Sequence, residues 1–153
     1  MASQINFYDI FYTSQWVGLN LMEYPVRVRL LTSAYEFDPT HTTRATVTAL
    51  GGGCELPTAG GYTVGGQEIG NKTVNMQASP RRTRLIGDNV LWEDLTATFR
   101  WALYHLDGTH LGHTDLVLCA VLLDDTPADI VASGVDYLLL HSANGIFTSG
   151  DCA

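Results

Sequence analysis

Positive charge is scarce in this chain. It has 8 lysines and arginines against 16 aspartates and glutamates, for a formal net charge of −8. Its only basic cluster, Arg81, Arg82 and Arg84 beside Pro80, reads as an exposed turn or as groups that meet an acidic surface. Binding a nucleic-acid backbone requires clustered cations that displace counterions, so the composition argues against a nucleic-acid partner. Charge of either sign is low at 16%, while hydrophobic residues make up 46%. That balance is too apolar for disorder, and it points to some apolar surface meant for a partner. Cysteine is also sparse. Cys54, Cys119 and Cys152 are odd in number and form no C-x-x-C pair. No disulfide framework is expected, and the pattern fits folding in a reducing cytoplasm. Cys119 lies in an apolar run and is read as a small hydrophobe. The longest apolar run, 116–123, is far short of the roughly 20 residues a membrane-spanning helix needs. The opening MASQINFYDI has no basic region followed by an apolar stretch, so no signal peptide and no membrane partner are expected.

Sites for chemistry are as thin as the charge. The glycine-dense segment GGGCELPTAGGYTVGG at 51–66 lacks the Lys-Ser or Lys-Thr of a phosphate loop. Loop and bulge geometry at positive φ is the expected use of its glycines. His110 and His113 form H-x-x-H, but zinc needs three or four convergent ligands, and these two converge only if their loop curls. Asp124, Asp125 and Asp129 lack the spacing and glycine of an EF-hand loop. Glu93 and Asp94 are adjacent in a strand end and point apart, which is no glycosidase pair. No G-x-S-x-G elbow occurs. Asn71-Lys72-Thr73 is a glycosylation sequon, of no use without a secretory route. No enzyme activity, cofactor or metal is therefore expected.

What the chain does have is strand signal. The stretch 92–123 reads as two long strands joined around Asp107-Gly108, a pair suited to the positive φ of a hairpin turn, and the residues before His113 also allow a longer loop. The second strand is apolar on both faces. Upstream, Pro25 opens an alternating strand in which Val26, Val28 and Leu30 face one way and Arg27 and Arg29 the other. Those arginines read as a solvated face, or as pairing with acidic groups on a partner. Residues 43–50 form a helical turn or an edge strand, stopped by Gly51 to Gly53. Residues 67–77 form a strand broken by a bulge or turn at Gly70-Asn71. Short strands flank Gly87-Asp88-Asn89, and 135–141 is the last long strand. Asn144-Gly145 makes a turn, after which Ile146 and Phe147 pin the end of the chain into the core.

With 153 residues, one domain is expected. The strand spacing predicts a mainly β fold, a single antiparallel β-sandwich or flattened barrel spanning 25–148. Before it, 1–24 reads as an arm or short helix that Ser3 can cap. Residues 149–153 read as a loose tail. The N-terminal aromatics Phe7, Tyr8, Phe11, Tyr12 and Trp16 either pack on the core or dock on a neighbour. They are the candidate partner-binding residues, because aromatics dominate interface hot spots.

Four stretches occur in a distinctive order: VRVRLLTSAYEFDPTH at 26–41, GGYTVGGQEIGNKTV at 60–74, DNVLWEDLTATFRWALYH at 88–105 and ANGIF at 143–147. Together they resemble the small virion structural proteins of tailed bacteriophages over about 24–148. The sequence departs from that pattern after Asp38-Pro39, where an anchoring leucine is missing, and at the arginine-rich SPRRTRL of 79–85. The resemblance implies a capsid decoration (cement) protein on the outside of the head. Such a protein is made in the host cytoplasm and, as a homotrimer, clamps neighbouring major capsid protein subunits. A tail or fibre-attachment component is the alternative it leaves open, and a carbohydrate-binding or hydrolytic β-domain is a third reading.

Overall fold

The computed structural model describes residues 3–78, 81–142 and 145–148, apart from the side chains at 77, 81, 82 and 148. In chain order the elements are β1 (Gln4–Phe7), α1 (Asp9–Trp16), β2 (Val26–Leu31), α2 (Arg44–Thr48), β3 (Gln67–Glu68), β4 (Thr73–Ala78), β5 (Arg81–Ile86) and β6 (Val90–Phe99). They continue with β7 (Trp101–Leu106), β8 (Thr109–His110), β9 (His113–Thr114), β10 (Val117–Leu122), β11 (Ile130–Leu139) and β12 (Phe147–Thr148). The protein is mainly β, and every strand pair is antiparallel. A five-stranded sheet runs β1-β10-β7-β2-β3, a two-stranded ribbon pairs β11 with β6, and a three-stranded sheet runs β12-β5-β4.

The inner strands β7 and β10 of the five-stranded sheet are buried on both faces. Val26, Val28 and Leu30 of β2, Ala102 and Tyr104 of β7, and Cys119 and Val121 of β10 meet Trp92, Leu95 and Phe99 of β6 in one core. Leu31, Leu103, Val117 and Ala120 face the other way, into a second core closed by Tyr8, Tyr35, Val47 and Cys54. All residues of β10 are buried, which explains why its sequence is apolar without alternation. The sandwich is thus one sheet with a β layer on one side and a layer of loops and α2 on the other.

The expected hairpin at 92–123 is corrected in two respects. Its first strand breaks at Arg100, where β6 ends in the ribbon and β7 begins in the large sheet. Arg100 N–H donates to Leu31 O (2.8 Å), and Leu123 N–H donates to Arg100 O (3.1 Å), so the corner itself is hydrogen-bonded to two neighbours. The tight turn also lies elsewhere. It is at Leu111 (φ 51) and Gly112 (φ 79), between β8 and β9, because both residues of a type I′ turn need positive φ. β7 and β10 then pair beneath this small hairpin, with Val117 opposite His105.

Other expectations resolve cleanly. Residues 44–48 are helical, and Gly51, Gly52 and Gly53 all take positive φ after them. The break at Gly70-Asn71 is a turn with Asn71 at φ 49, and it carries the chain from β3 into a different sheet. Strand β5 covers 81–86, so the backbone of Arg81, Arg82 and Arg84 is strand and not turn. The last long strand starts earlier than expected, at Ile130. Ile146 and Phe147 are buried, while Asn144 lies outside the described residues. Ser3 caps no helix. Residues 4–7 are paired with β10, and α1 begins at Asp9 without a side-chain cap.

The ribbon carries a bulge. Register shifts occur around Val135, with Gly134 at φ 59 and Asp94 at φ 48. Side chains replace the lost ladder bonds, since Thr96 Oγ1 accepts Gly134 N–H (2.8 Å) and Asp136 Oδ1 accepts Asp94 N–H (3.0 Å). The glycine-rich loop lies directly on this bulge. A Cβ at Gly61 would stand 2.4 Å from Glu93 O. At Gly66 (φ +64) it would stand 1.9 Å from Val28 O, whereas at Gly52 (φ +80) it would meet nothing within 4 Å. Gly52→Ala should therefore cost only the backbone term of about 1–2 kcal/mol. Gly66→Ala should lose visibly more, because the Val28 strand must move. Urea unfolding of the two variants side by side checks this, and equal midpoints would remove the steric account.

Candidate interaction surfaces

The five N-terminal aromatics divide into two sets. Tyr8 is fully buried, and its hydroxyl hydrogen-bonds the Tyr35 hydroxyl. Phe11 is buried, and Phe7 stacks on it with ring centroids 5.0 Å apart. These three fasten α1 and β1 to the body, so residues 4–16 are integral to the sandwich and not a free arm. Tyr12 and Trp16, one helical turn apart, are 54% and 92% exposed. Only these two remain available to a partner.

A cavity of about 360 Å³ lies between α1, the 19–22 loop and the β4–β5 hairpin. Phe11, Leu21, Leu85 and Phe147 form apolar parts of its wall, and Gln15 and Arg84 supply polar groups. Arg84 is held by Asn75 Oδ1 (2.8 Å from Nε). Among the described residues no carboxylate lines this cavity. In its wall Met22 and Val74 are 48% and 43% exposed. Lys72 fixes the loop above by donating to the carbonyls of Leu21 (2.9 Å) and Tyr24, at the cost of partial burial that lowers its pKa.

The outer face of the β6–β11 ribbon is a second apolar surface. Leu91 and Leu138 are register partners, 42% and 48% exposed, and Leu140 is 69% exposed. Val131, opposite Thr98, is exposed at the far end of the same ribbon, whereas Val135 pairs with the buried Leu95. The sequence held a signal for this surface. In a strand carrying Leu138, Leu139 and Leu140, a core on one side can take only alternate residues. Leu139 packs inward and its neighbours face out. A further groove of about 440 Å³ opens between β1, β10 and β11, with Ile5, Val121, Tyr137 and His141 in its wall. His141 is committed there. Its Nδ1–H donates to Asp88 O (2.7 Å) and its Nε2 accepts from Tyr104 (2.9 Å).

Polar groups cluster most densely on the second face of the large sheet. Arg29 Nε–H donates to His105 Nε2 (2.8 Å), and its Nη1 pairs with Glu55 Oε2 (2.8 Å). Glu55 Oε1 accepts from Tyr62 and from Gly65 N–H, both at 2.9 Å. Arg27 reaches the carbonyls of Gly65 (2.9 Å) and Gly66 (3.0 Å). The two arginines thus clamp the glycine-rich loop to β2. Arg29 and Glu55 side chains are only 11% and 9% exposed, so the expected solvated face is a sealed one, and neither cavity reaches these groups. Nearby, Arg44 forks onto Asp115 Oδ2 (3.1 and 2.7 Å). Burial raises the Asp115 carboxyl, but the Gly108 N–H and Arg44 outweigh it and hold its pKa below the usual range.

No group of three or more metal-ligating side chains occurs among the described residues. His110 and His113 face each other across the β8–β9 turn. His110 Nε2 accepts Asn20 N–H (3.2 Å), and its ring packs on Tyr24. Asp124 caps Thr126, and Asp129 pairs with Arg100 (2.7 Å). Cys54 and Cys119 are buried thiols, and Cys152 lies outside the described residues.

The tautomer of His105 is dictated by its partners. Leu106 O can only accept (2.7 Å from Nδ1), and Arg29 Nε–H can only donate. The ring is therefore neutral with its proton on Nδ1. Burial, assisted by Arg29, pushes its pKa down to about 4. An unfolded histidine titrates near 6.5, so between those values the unfolded chain binds the extra proton. Stability should be full above pH 6.5 and fall by on the order of 3 kcal/mol as pH drops to 4. His105→Gln should flatten that slope in urea titrations at stepped pH. An unchanged slope would assign the acid sensitivity to other groups.

Comparison with family models, curated proteins and solved structures finds no match to this chain.

Proposed function

We propose that this protein is a virion structural component of a tailed phage. Its place in that reading is the outer surface of the head, where it acts as a decoration protein gripping neighbouring major capsid protein subunits and self-associates as a homotrimer. The observation that carries the reading is the outward apolar strip of Leu91, Leu138 and Leu140 at one end of the two-stranded ribbon. Isolated apolar residues on a surface are ordinary, but a contiguous strip marks a contact site. The ordered motifs of the sequence favour the same reading. So does the use of the buried titratable groups as internal clamps rather than as a reactive centre.

The mechanism is area and repetition. A standard interface buries about 1,200–2,000 Å² in total, and several sites engaged together gain through effective concentration. Strip residues sit on strands whose inner faces hold Trp92, Tyr137 and Leu139, so the strip is presented without an ordering cost at binding.

Purified protein should rebind expanded phage heads stripped of their decoration, in hundreds of copies per particle. Leu138→Glu with Leu140→Glu should weaken that binding at least tenfold and leave thermal unfolding nearly unchanged. Folded protein that binds no form of the head would overturn the assignment. About a dozen copies at one vertex would move the protein to the tail.

A further inference from the structure

We infer that the outer edge of β11 is a strand-addition site, which takes an extended segment of the partner protein as a further strand beside the β6–β11 ribbon. This deepens the proposed function and rests on it, since it names the kind of segment a capsid subunit offers at that surface. β11 has ten residues and pairs with β6 alone. The far edge of β6 is covered, because Thr96 N–H donates to Gly60 O (2.7 Å) in the glycine-rich loop. The other edge strands, β1, β3, β4, β8, β9 and β12, have two to six residues. Proteins guard a long edge with lysine, proline or a bulge. β11 has neither lysine nor proline, and its one charged side chain, Asp136, is engaged by Asp94 N–H. Its bulge lies between Ala132 and Tyr137 and leaves 137–139 in continuous register with 90–92.

The direction of the backbone groups identifies the occupant. His141 N–H donates to Asn89 Oδ1 (2.7 Å), on the β6 side. Backbone groups alternate sides along an antiparallel strand, so those of Leu138 and Leu140 point to the open edge. Among the described residues no hydrogen bond reaches them. Donors and acceptors at strand spacing are the electrostatic complement of another extended backbone. In that mode main-chain bonds supply affinity, and pockets for alternate side chains supply specificity. The pocket lies beside the edge. The groove of about 440 Å³ has Ile5 and Val121 on one side and Tyr137 and Leu139 on the other, and Ile5 is 47% exposed. A strand added to β11 would lie over β1 and place every second side chain in this groove. That requirement selects against β11 of a second copy. Its inward side chains, Tyr137 and Leu139, already pack on their own core, so it would pair the edge and leave the groove unfilled. The occupant is therefore an extended arm or loop of the partner, apolar at alternate positions and not committed to a core of its own.

Hydrogen exchange of the full chain, free and on expanded heads stripped of their decoration, tests this. The amides of Leu138 and Leu140 should exchange fast in the free protein and at least tenfold more slowly on heads. The Leu139 amide, which faces β6 in both states, is the internal reference. Leu138→Pro removes the outward donor and keeps an apolar side chain, and proline is tolerated on an edge strand where the N–H faces solvent. It should unfold close to wild type and bind heads at least tenfold more weakly, while Leu138→Ile, which keeps the donor, should bind as wild type does. Should the proline variant fold poorly, the exchange measurement decides alone. Heads bound with no slowing of the two amides, or bound equally by a folded Leu138→Pro protein, would overturn the inference and leave the virion reading standing. Slow exchange in the free protein that is lost on dilution would put a second copy on the edge and overturn it too. Failure to bind any form of the head would overturn the virion reading and the inference together.

Discussion

Burial of β7 and β10 on both faces is the constraint that arranges the rest of the molecule. A sheet covered on one side only would need alternating strands. β10 offers none, so something must lie against each face. On one side the ribbon of β6 and β11 supplies Trp92, Phe99 and Tyr137. On the other, α2 and the loops around Tyr35 and Cys54 do the covering. The N-terminal segment completes this layer through Tyr8, which is why the first residues fold in and do not extend as an arm.

Covering a sheet with loops brings backbone polar groups near a closed interior, where each must find a partner. Arg27, Arg29 and Glu55 meet that need for the 55–66 loop, and His105 completes the set as a neutral acceptor. Removing one partner from such a pair leaves a buried charge unanswered, and that loss outweighs what the intact pair contributes. These groups resemble a reactive cluster in composition. Their mutual satisfaction and their isolation from both cavities identify them as a clamp.

Strand existence was readable from the chain, because alternation in β2 and continuous apolarity in β10 both follow from burial. The corner at Arg100 was not. Nothing in TATFRWALYHL marks where one sheet ends, since each half is a good strand alone and the break is set by hydrogen bonds to Leu31 and Leu123. Asp107-Gly108 carried the stronger turn signal, yet Leu111-Gly112 makes the turn, with a leucine at positive φ that local preference disfavours. Tertiary context also divided the aromatics. In the sequence Phe7, Tyr8, Phe11, Tyr12 and Trp16 could all pack or dock, and only the positions of the two cores, which take Phe11 on one side and Tyr8 on the other, decide which of them face water. The exposed strip on β11 was half visible, in that three consecutive leucines cannot all face inward.

The two described cysteines fall in different layers, Cys119 among the ribbon-side residues and Cys54 beneath α2. Burial raises both thiols above their ordinary pKa, to about 11 for Cys54, so neither reacts readily while its layer is closed. Alkylation at each position consequently times the opening of its own half of the sandwich. Nature has left this fold with two independent clocks, one on either side of a shared central sheet, by which the breathing of loops and the breathing of strands can be followed apart.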